Sequence, residues 1–249
     1  MKNIFFAITI LFLIACKTDD PLSNDTEGYD LDAGYSYETS DQYGNRLALF
    51  GGSVACWSTP CQTYWAEKLD LSIVNFAIGG AGFTTKGNLI LSQVERALSG
   101  YFGQFDIYLF WCSTNDLSNG TIGQPSDSAE FDPQDTNITI SQCSGINWCF
   151  KRILTAQPQA KIILFTSLPQ FGEFGHATTA TKDHTYLFQL VNAQIACCKL
   201  WAIPFLDQYY TCPFNISNYQ HYYDDIVHPN SNGYEMIMKQ QALFIAEAY

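Results

Sequence analysis

Basic residues are scarce in this chain: 12 Lys and Arg stand against 24 Asp and Glu, a net charge of −12. A phosphate backbone is held by cations that displace its counterions, so this shortage argues against nucleic acid as a partner. It argues equally against an electrostatic hold on an anionic membrane. Charged residues of both signs make up only 14% of the 249, and hydrophobic residues 47%. That composition excludes disorder throughout and a coiled coil, and the length suits one domain with a sizeable core. Internal repeats and low-complexity stretches are absent. So is any CxxC pair, and the four histidines (His176, His184, His221, His228) show no ligand spacing, so no metal site is expected.

The apolar run that opens the chain, Ile4 to Ala15 after Met1-Lys2-Asn3, is too short to cross a bilayer as a helix. It reads as the hydrophobic region of an export signal. Its end, Leu13-Ile14-Ala15-Cys16, resembles the lipobox of bacterial lipoproteins, which implies lipidation of Cys16 and an outer-membrane location, on the periplasmic or cell-surface face. Lys17-Thr18-Asp19-Asp20 resembles the short acidic signal that sends some lipoproteins to the cell surface. Residues 17–44 hold eight acids and one base with little apolar content, the pattern of a solvated tether. The expected organisation is therefore a signal peptide over 1–16, a tether over 17–44 and a folded domain over 45–249. Eight cysteines remain after Cys16, an even set in an exported chain, which suggests disulfides. Cys56/Cys61 and Cys143/Cys149 are close enough in sequence to pair locally, and a Cys56–Cys61 bond is expected to stiffen the segment after Ser53.

Within the domain, strand and helix patterns alternate. Apolar runs predict strands at Arg46–Phe50, Leu71–Ile78, Phe105–Trp111, Lys161–Thr166 and Ile203–Leu206. Helical spacing falls at Pro60–Leu69, with Thr59 as cap and Gln62 completing a capping box, and at Asn88–Leu98, Ile146–Ala156, Asp183–Leu200 and Ser231–Ala248. Between them Ser113–Ser141 is a long polar stretch, and loops of that length are usually functional. The alternation predicts a three-layer α/β/α sandwich with a mainly parallel, flavodoxin-like central sheet. Ligands in such sheets bind beyond the carboxyl ends of the strands.

The segments after the strands hold a consistent set of chemistry-bearing residues. Ser53 sits in a glycine-flanked turn after the first strand, Gly80 after the second and Asn115 after the third. Asp225 and His228 precede the last helix. A serine becomes a nucleophile when a base lies within hydrogen-bond reach and a third group orients that base. Backbone N–H groups and a side-chain amide stabilise the oxyanion that then develops. Asp225 and His228 are three apart and meet only in a turn or at a helix start. Asp224 and His221 are alternatives that lose this spacing, and Gly82 is a second candidate for the oxyanion glycine.

Phe50-Gly51-Gly52-Ser53, Asn75-Phe76-Ala77-Ile78-Gly79-Gly80, Ser113-Thr114-Asn115-Asp116 and Asp225-Ile226-Val227-His228-Pro229-Asn230 resemble, in order, the four blocks of the SGNH (GDSL-type) hydrolases. The resemblance implies Ser53 as nucleophile, His228 and Asp225 as base and orienter, and the Ser53 N–H, Gly80 and Asn115 as oxyanion hole, with no metal or organic cofactor. The implied activity is ester hydrolysis through an acyl-enzyme. An aromatic content of 15% leans toward O-acyl groups, such as acetyl, on carbohydrate. Lipid or thioester hydrolysis is the alternative within the enzyme class, and a non-catalytic glycan-binding protein the alternative outside it. The chain departs from the family pattern twice: Gly52 stands where the first block usually has Asp, and Ser113 where the third usually opens with Gly.

Overall fold

Alternate residues of the long strands face opposite ways, and here both faces are apolar. Leu47, Leu49, Ile107, Leu109, Trp111, Ile163 and Phe165 enter one buried cluster, while Ala48, Phe50, Tyr108, Phe110, Ile162 and Leu164 enter another. Strands apolar on both sides need cover on both sides, which is the condition of a parallel sheet between two helical layers. The computed structural model describes residues 45–84, 89–135, 138–171 and 187–248. The expected signal segment, Cys16 and the tether lie outside these residues, as do Asn88 and the first four residues of the expected Asp183–Leu200 helix.

In chain order the elements are β1 (Arg46–Gly51), α1 (Ser53–Cys56), α2 (Thr59–Leu69), β2 (Ser72–Asn75), α3 (Ile90–Leu98), β3 (Ile107–Trp111), α4 (Asp116–Asn119), α5 (Gln142–Ala156), β4 (Lys161–Phe165), α6 (Leu187–Trp201), β5 (Phe205–Leu206), α7 (Gln208–Thr211), α8 (Tyr219–Tyr222) and α9 (Ser231–Glu247). The five strands form one sheet in the order β2-β1-β3-β4-β5, and every pairing is parallel. Helices α2 and α9 pack on one face, and α3, α5 and α6 on the other. This is the three-layer α/β/α sandwich that the alternation predicts. Among the described residues no helix is long and apolar enough to cross a membrane.

Strand β2 is shorter than its apolar run because Asn75 ends it: the Asn75 Oδ1 accepts from the Ala77 N–H at 2.9 Å and turns the chain. Helix α5 begins four residues earlier than the periodicity suggests, because Ser141 caps it by accepting from the Ser144 N–H. The strand order reverses direction between β1 and β3, so the crevice for a ligand opens there. The register pairs Gly51 with Trp111 at that point, which sets the segments after Gly51 and after Trp111 side by side.

Candidate active site

Ser53 leaves β1 through a turn fixed from several sides. Gly51 has φ +157, and a Cβ there would lie 2.5 Å from the Trp111 carbonyl oxygen, so only glycine fits. Its backbone is clamped by Gln93 of α3, whose Oε1 accepts from the Gly51 N–H at 2.9 Å and whose Nε2 donates to the Gly51 carbonyl at 3.0 Å. Ser53 then opens α1, where its N–H has no intrahelical partner, and the residue is 8% exposed.

The short helix is tied down by side chains. The Ala55 carbonyl accepts from Ser58 Oγ at 2.7 Å, Asn75 Nδ2 at 3.3 Å and Gln62 Nε2 at 3.4 Å. The Val54 carbonyl accepts from Tyr234 Oη at 2.8 Å. Two expectations are corrected here. Thr59 is inside α2 and not its cap; Ser58 holds that position, and Gln62 donates to Ser58 Oγ at 3.0 Å in place of a capping box. The Cys56–Cys61 disulfide does not form. Cys61 is a free, fully buried thiol turned toward α9, where it donates to the Tyr234 carbonyl at 3.5 Å. Cys143 and Cys149 are also free and buried; six residues apart on α5 they are separated by about 9 Å of helix rise, beyond disulfide reach.

Asp225 builds the turn that carries the histidine. Its Oδ1 accepts from the Val227 and His228 N–H groups at 2.6 and 2.7 Å, which lets residues three apart face each other. Its Oδ2 meets His228 Nδ1 at 2.6 Å. Partial burial pulls the carboxyl pKa up, but the bonds from the His228 ring and from the two N–H groups outweigh it and hold it below the ordinary 3.8. An ionised carboxylate only accepts, so Nδ1 is the nitrogen that donates to it and Nε2 is the one left to face a hydroxyl. Ser53 Oγ lies 2.8 Å from that Nε2, across 175 residues of sequence. Asp224 and His221 are exposed and take no part.

Asn115 Nδ2 lies beside Gly52, 2.9 Å from where a Cβ on that residue would stand. Asn115, just after β3, donates from Nδ2 to the Ala81 carbonyl at 2.8 Å, a bond that fixes the amide plane. Gly80 lies on the exposed side of the loop after β2 with φ +77, a conformation that favours glycine. Gly82 is buried and its carbonyl accepts from the Ile90 N–H, so it serves the loop. Asp116 is 2% exposed; burial raises its pKa, opposed by bonds from the Thr84 hydroxyl and the Thr84 and Phe83 N–H groups, which pin the same loop to the end of β3. A hydroxyl in hydrogen-bond reach of an imidazole that a carboxylate orients is the arrangement acyl transfer requires.

A family model described as the GDSL-like lipase/acylhydrolase family matches residues 26–236. The chain belongs to the GDSL-like lipase/acylhydrolase family. It is therefore an ester-hydrolysing enzyme. The match to this family begins inside the acidic stretch before β1. Solved structures share the fold: a Lactobacillus plantarum protein at TM-score 0.67 and 14% identity, covering 83% of this chain and 98% of its own; a GDSL-like lipase from Bacteroides thetaiotaomicron at 0.57 and 15%, covering 82% and 89%; and a lipase/acylhydrolase from Enterococcus faecalis at 0.54 and 13%, covering 82% and 95%. No curated protein matched the sequence itself.

In this GDSL-like hydrolase two site residues escape a reading by motif. Gln93 interrupts the apolar face of α3 between Ile90 and Val94 and is 2% exposed; a lone amide on such a face was the available signal. Trp57 closes α1 with its ring centroid 4.5 Å from that of His228, yet stays 43% exposed. Nothing in its local sequence marks it, because its partner lies in the Asp225–His228 turn far along the chain.

Proposed function

We propose that the chain is an exported serine esterase that removes acyl groups, acetyl among them, from carbohydrate. The observation that carries this reading is the unbroken chain Ser53 Oγ, His228 Nε2, His228 Nδ1, Asp225 Oδ2, with links of 2.8 and 2.6 Å. Ser53 Oγ attacks the ester carbonyl and its proton passes to His228 Nε2. The carbonyl oxygen becomes an oxyanion, received by the Ser53 and Gly80 N–H groups and by the Asn115 amide. Collapse breaks the ester C–O bond, and the leaving alcohol takes the proton from His228. Water then adds to the acyl-Ser53 carbonyl, giving a proton to His228, and collapse releases the acid as that proton returns to Ser53. Asp225 stays ionised and steadies the imidazolium.

The substrate reading rests on Trp57. An exposed indole beside the base offers a flat apolar face with a polar edge, which suits a sugar ring carrying the ester. Full-length protein should hydrolyse 4-nitrophenyl acetate, and Ser53→Ala should lower kcat by about 10⁶, the loss when members of a triad act as a unit. Retained turnover in Ser53→Ala would sink the mechanism. Trp57→Ala should raise KM for an acetylated oligosaccharide and spare the nitrophenyl ester. A preference for long-chain lipid esters that survives Trp57→Ala would overturn the carbohydrate assignment.

A further inference from the structure

The chain's two departures from the family blocks, Gly52 and Ser113, touch the same point in space. A Cβ added at Gly52 would lie 2.8 Å from Ser113 Cβ, 2.8 Å from the Ala81 carbonyl oxygen and 2.9 Å from Asn115 Nδ2. Its φ of −94 would suit any residue, so space alone demands glycine. The Ser113 side chain, 4% exposed, shares this space with the Ala81 carbonyl and the Asn115 amide. Ser113 Oγ donates to the Ala81 carbonyl at 2.8 Å and accepts from the Asn115 N–H at 3.2 Å. Asn115 Nδ2 donates to that same carbonyl, so one hydroxyl holds the amide residue by its backbone and by the acceptor of its side chain.

Ser113 is itself held from behind. Its carbonyl accepts from Ser167 Oγ at 3.0 Å, and Ser167 exchanges two bonds with Gln194 of α6, its N–H donating to Oε1 at 3.1 Å and its Oγ accepting from Nε2 at 3.0 Å. Ser167 and Gln194 are fully buried. Polar groups so placed and so completely bonded rigidify what they touch. We infer that Ser113 is a positioning residue for the oxyanion donor Asn115, and that glycine at position 52 leaves room for Ser113, Asn115 and the Ala81 carbonyl to meet. The inference rests on the reading of Asn115 as an oxyanion donor.

Kinetics and melting temperatures of the full chain test it, with 4-nitrophenyl acetate as substrate. Asn115→Ala should lower kcat by about 10²–10³ with KM little changed. Ser113→Ala should lower kcat about tenfold at unchanged KM, the scale of one lost buried hydrogen bond. In the Asn115→Ala background Ser113→Ala should cost less than twofold, because the group it positions is gone. Gly52→Ala should impair kcat severely in the native background and in Ser113→Gly alike, because the Ala81 carbonyl oxygen its Cβ meets at 2.8 Å is present in both. Wild-type kcat in Ser113→Ala, or losses that multiply in the Ser113/Asn115 double variant, would overturn the inference. If Ser113→Ala fails to fold, Ser113→Gly alone and with Asn115→Ala carries the same comparison. Ser53→Ala separates the layers: its inactivity with an inert Ser113 removes this inference alone, and its activity removes the mechanism beneath it.

Discussion

Each oxygen of the Asp225 carboxylate serves a different partner: Oδ1 holds two backbone N–H groups and Oδ2 the imidazole. Asp225→Asn can keep the turn, since an amide oxygen still accepts, but it withdraws the charge that steadies a protonated His228. A loss of about 10⁴ in kcat with the fold intact is expected, as where the same exchange leaves a triad's geometry in place. The stability effect has a definite sign. The folded carboxyl titrates lower than an unfolded one, so its contribution is present above the unfolded value and is lost as pH falls through the folded one. The difference in melting temperature between wild type and Asp225→Asn should therefore hold steady from neutral pH down to about pH 5 and shrink below about pH 4. A difference that grows on acidification would contradict this. Because half of the Asp225 side chain is in solvent, the effect is small and reduced by salt.

The elements that carry the site were legible in the sequence to unequal degrees. Strands β1, β3 and β4 announce themselves as apolar runs because both faces of the sheet are covered. Helix α9 announces itself through Asn230, whose Oδ1 accepts from the Gly233 N–H at 3.1 Å, a capping bond typically worth ~1 kcal/mol. Helices α1, α4, α7 and α8 are single turns of four residues, too short to show a period. The Tyr234 bond to Val54, the Gln93 clamp and the Ser113 bond to Ala81 join residues distant in sequence, so no local spacing encodes them. That is also why cysteine proximity misled: Cys61 points where α2 packs on α9, and chain distance carries no such information. Gly233 tests the packing of α9 on the histidine turn. A Cβ there would lie 2.2 Å from the Tyr222 carbonyl oxygen and 2.9 Å from Pro229 Cβ, with no flexible side chain to yield. Gly233→Ala should cost ~1–3 kcal/mol, the range for overpacking, and lower kcat by displacing His228. A control at exposed Leu243 (64% exposed) on the same helix should change neither.

For the whole molecule, strand order decides where the chemistry sits. Ser53 follows β1 and Asn115 follows β3, neighbours at the point where the sheet's order reverses, and Asp225 and His228 arrive from beyond β5. The charge of −12 adds a second whole-molecule property, since a neutral ester of a sugar is not repelled by it as an anionic lipid surface is. The lipid expected on Cys16 from the lipobox resemblance would have to hold the enzyme at an outer membrane against that repulsion. Labelled palmitate should enter the wild-type protein in cells and not Cys16→Ser, and equal labelling of both would end the lipoprotein assignment. The separation of 175 residues between Ser53 and His228 also gives the activity a place in time. A ribosome adding about 5–20 residues per second emits the nucleophile, and the oxyanion side soon after, roughly 9–35 s before the base. On the proposed reading Ser53 lacks its proton acceptor until then, so the growing chain carries no competent triad before its last helix is made.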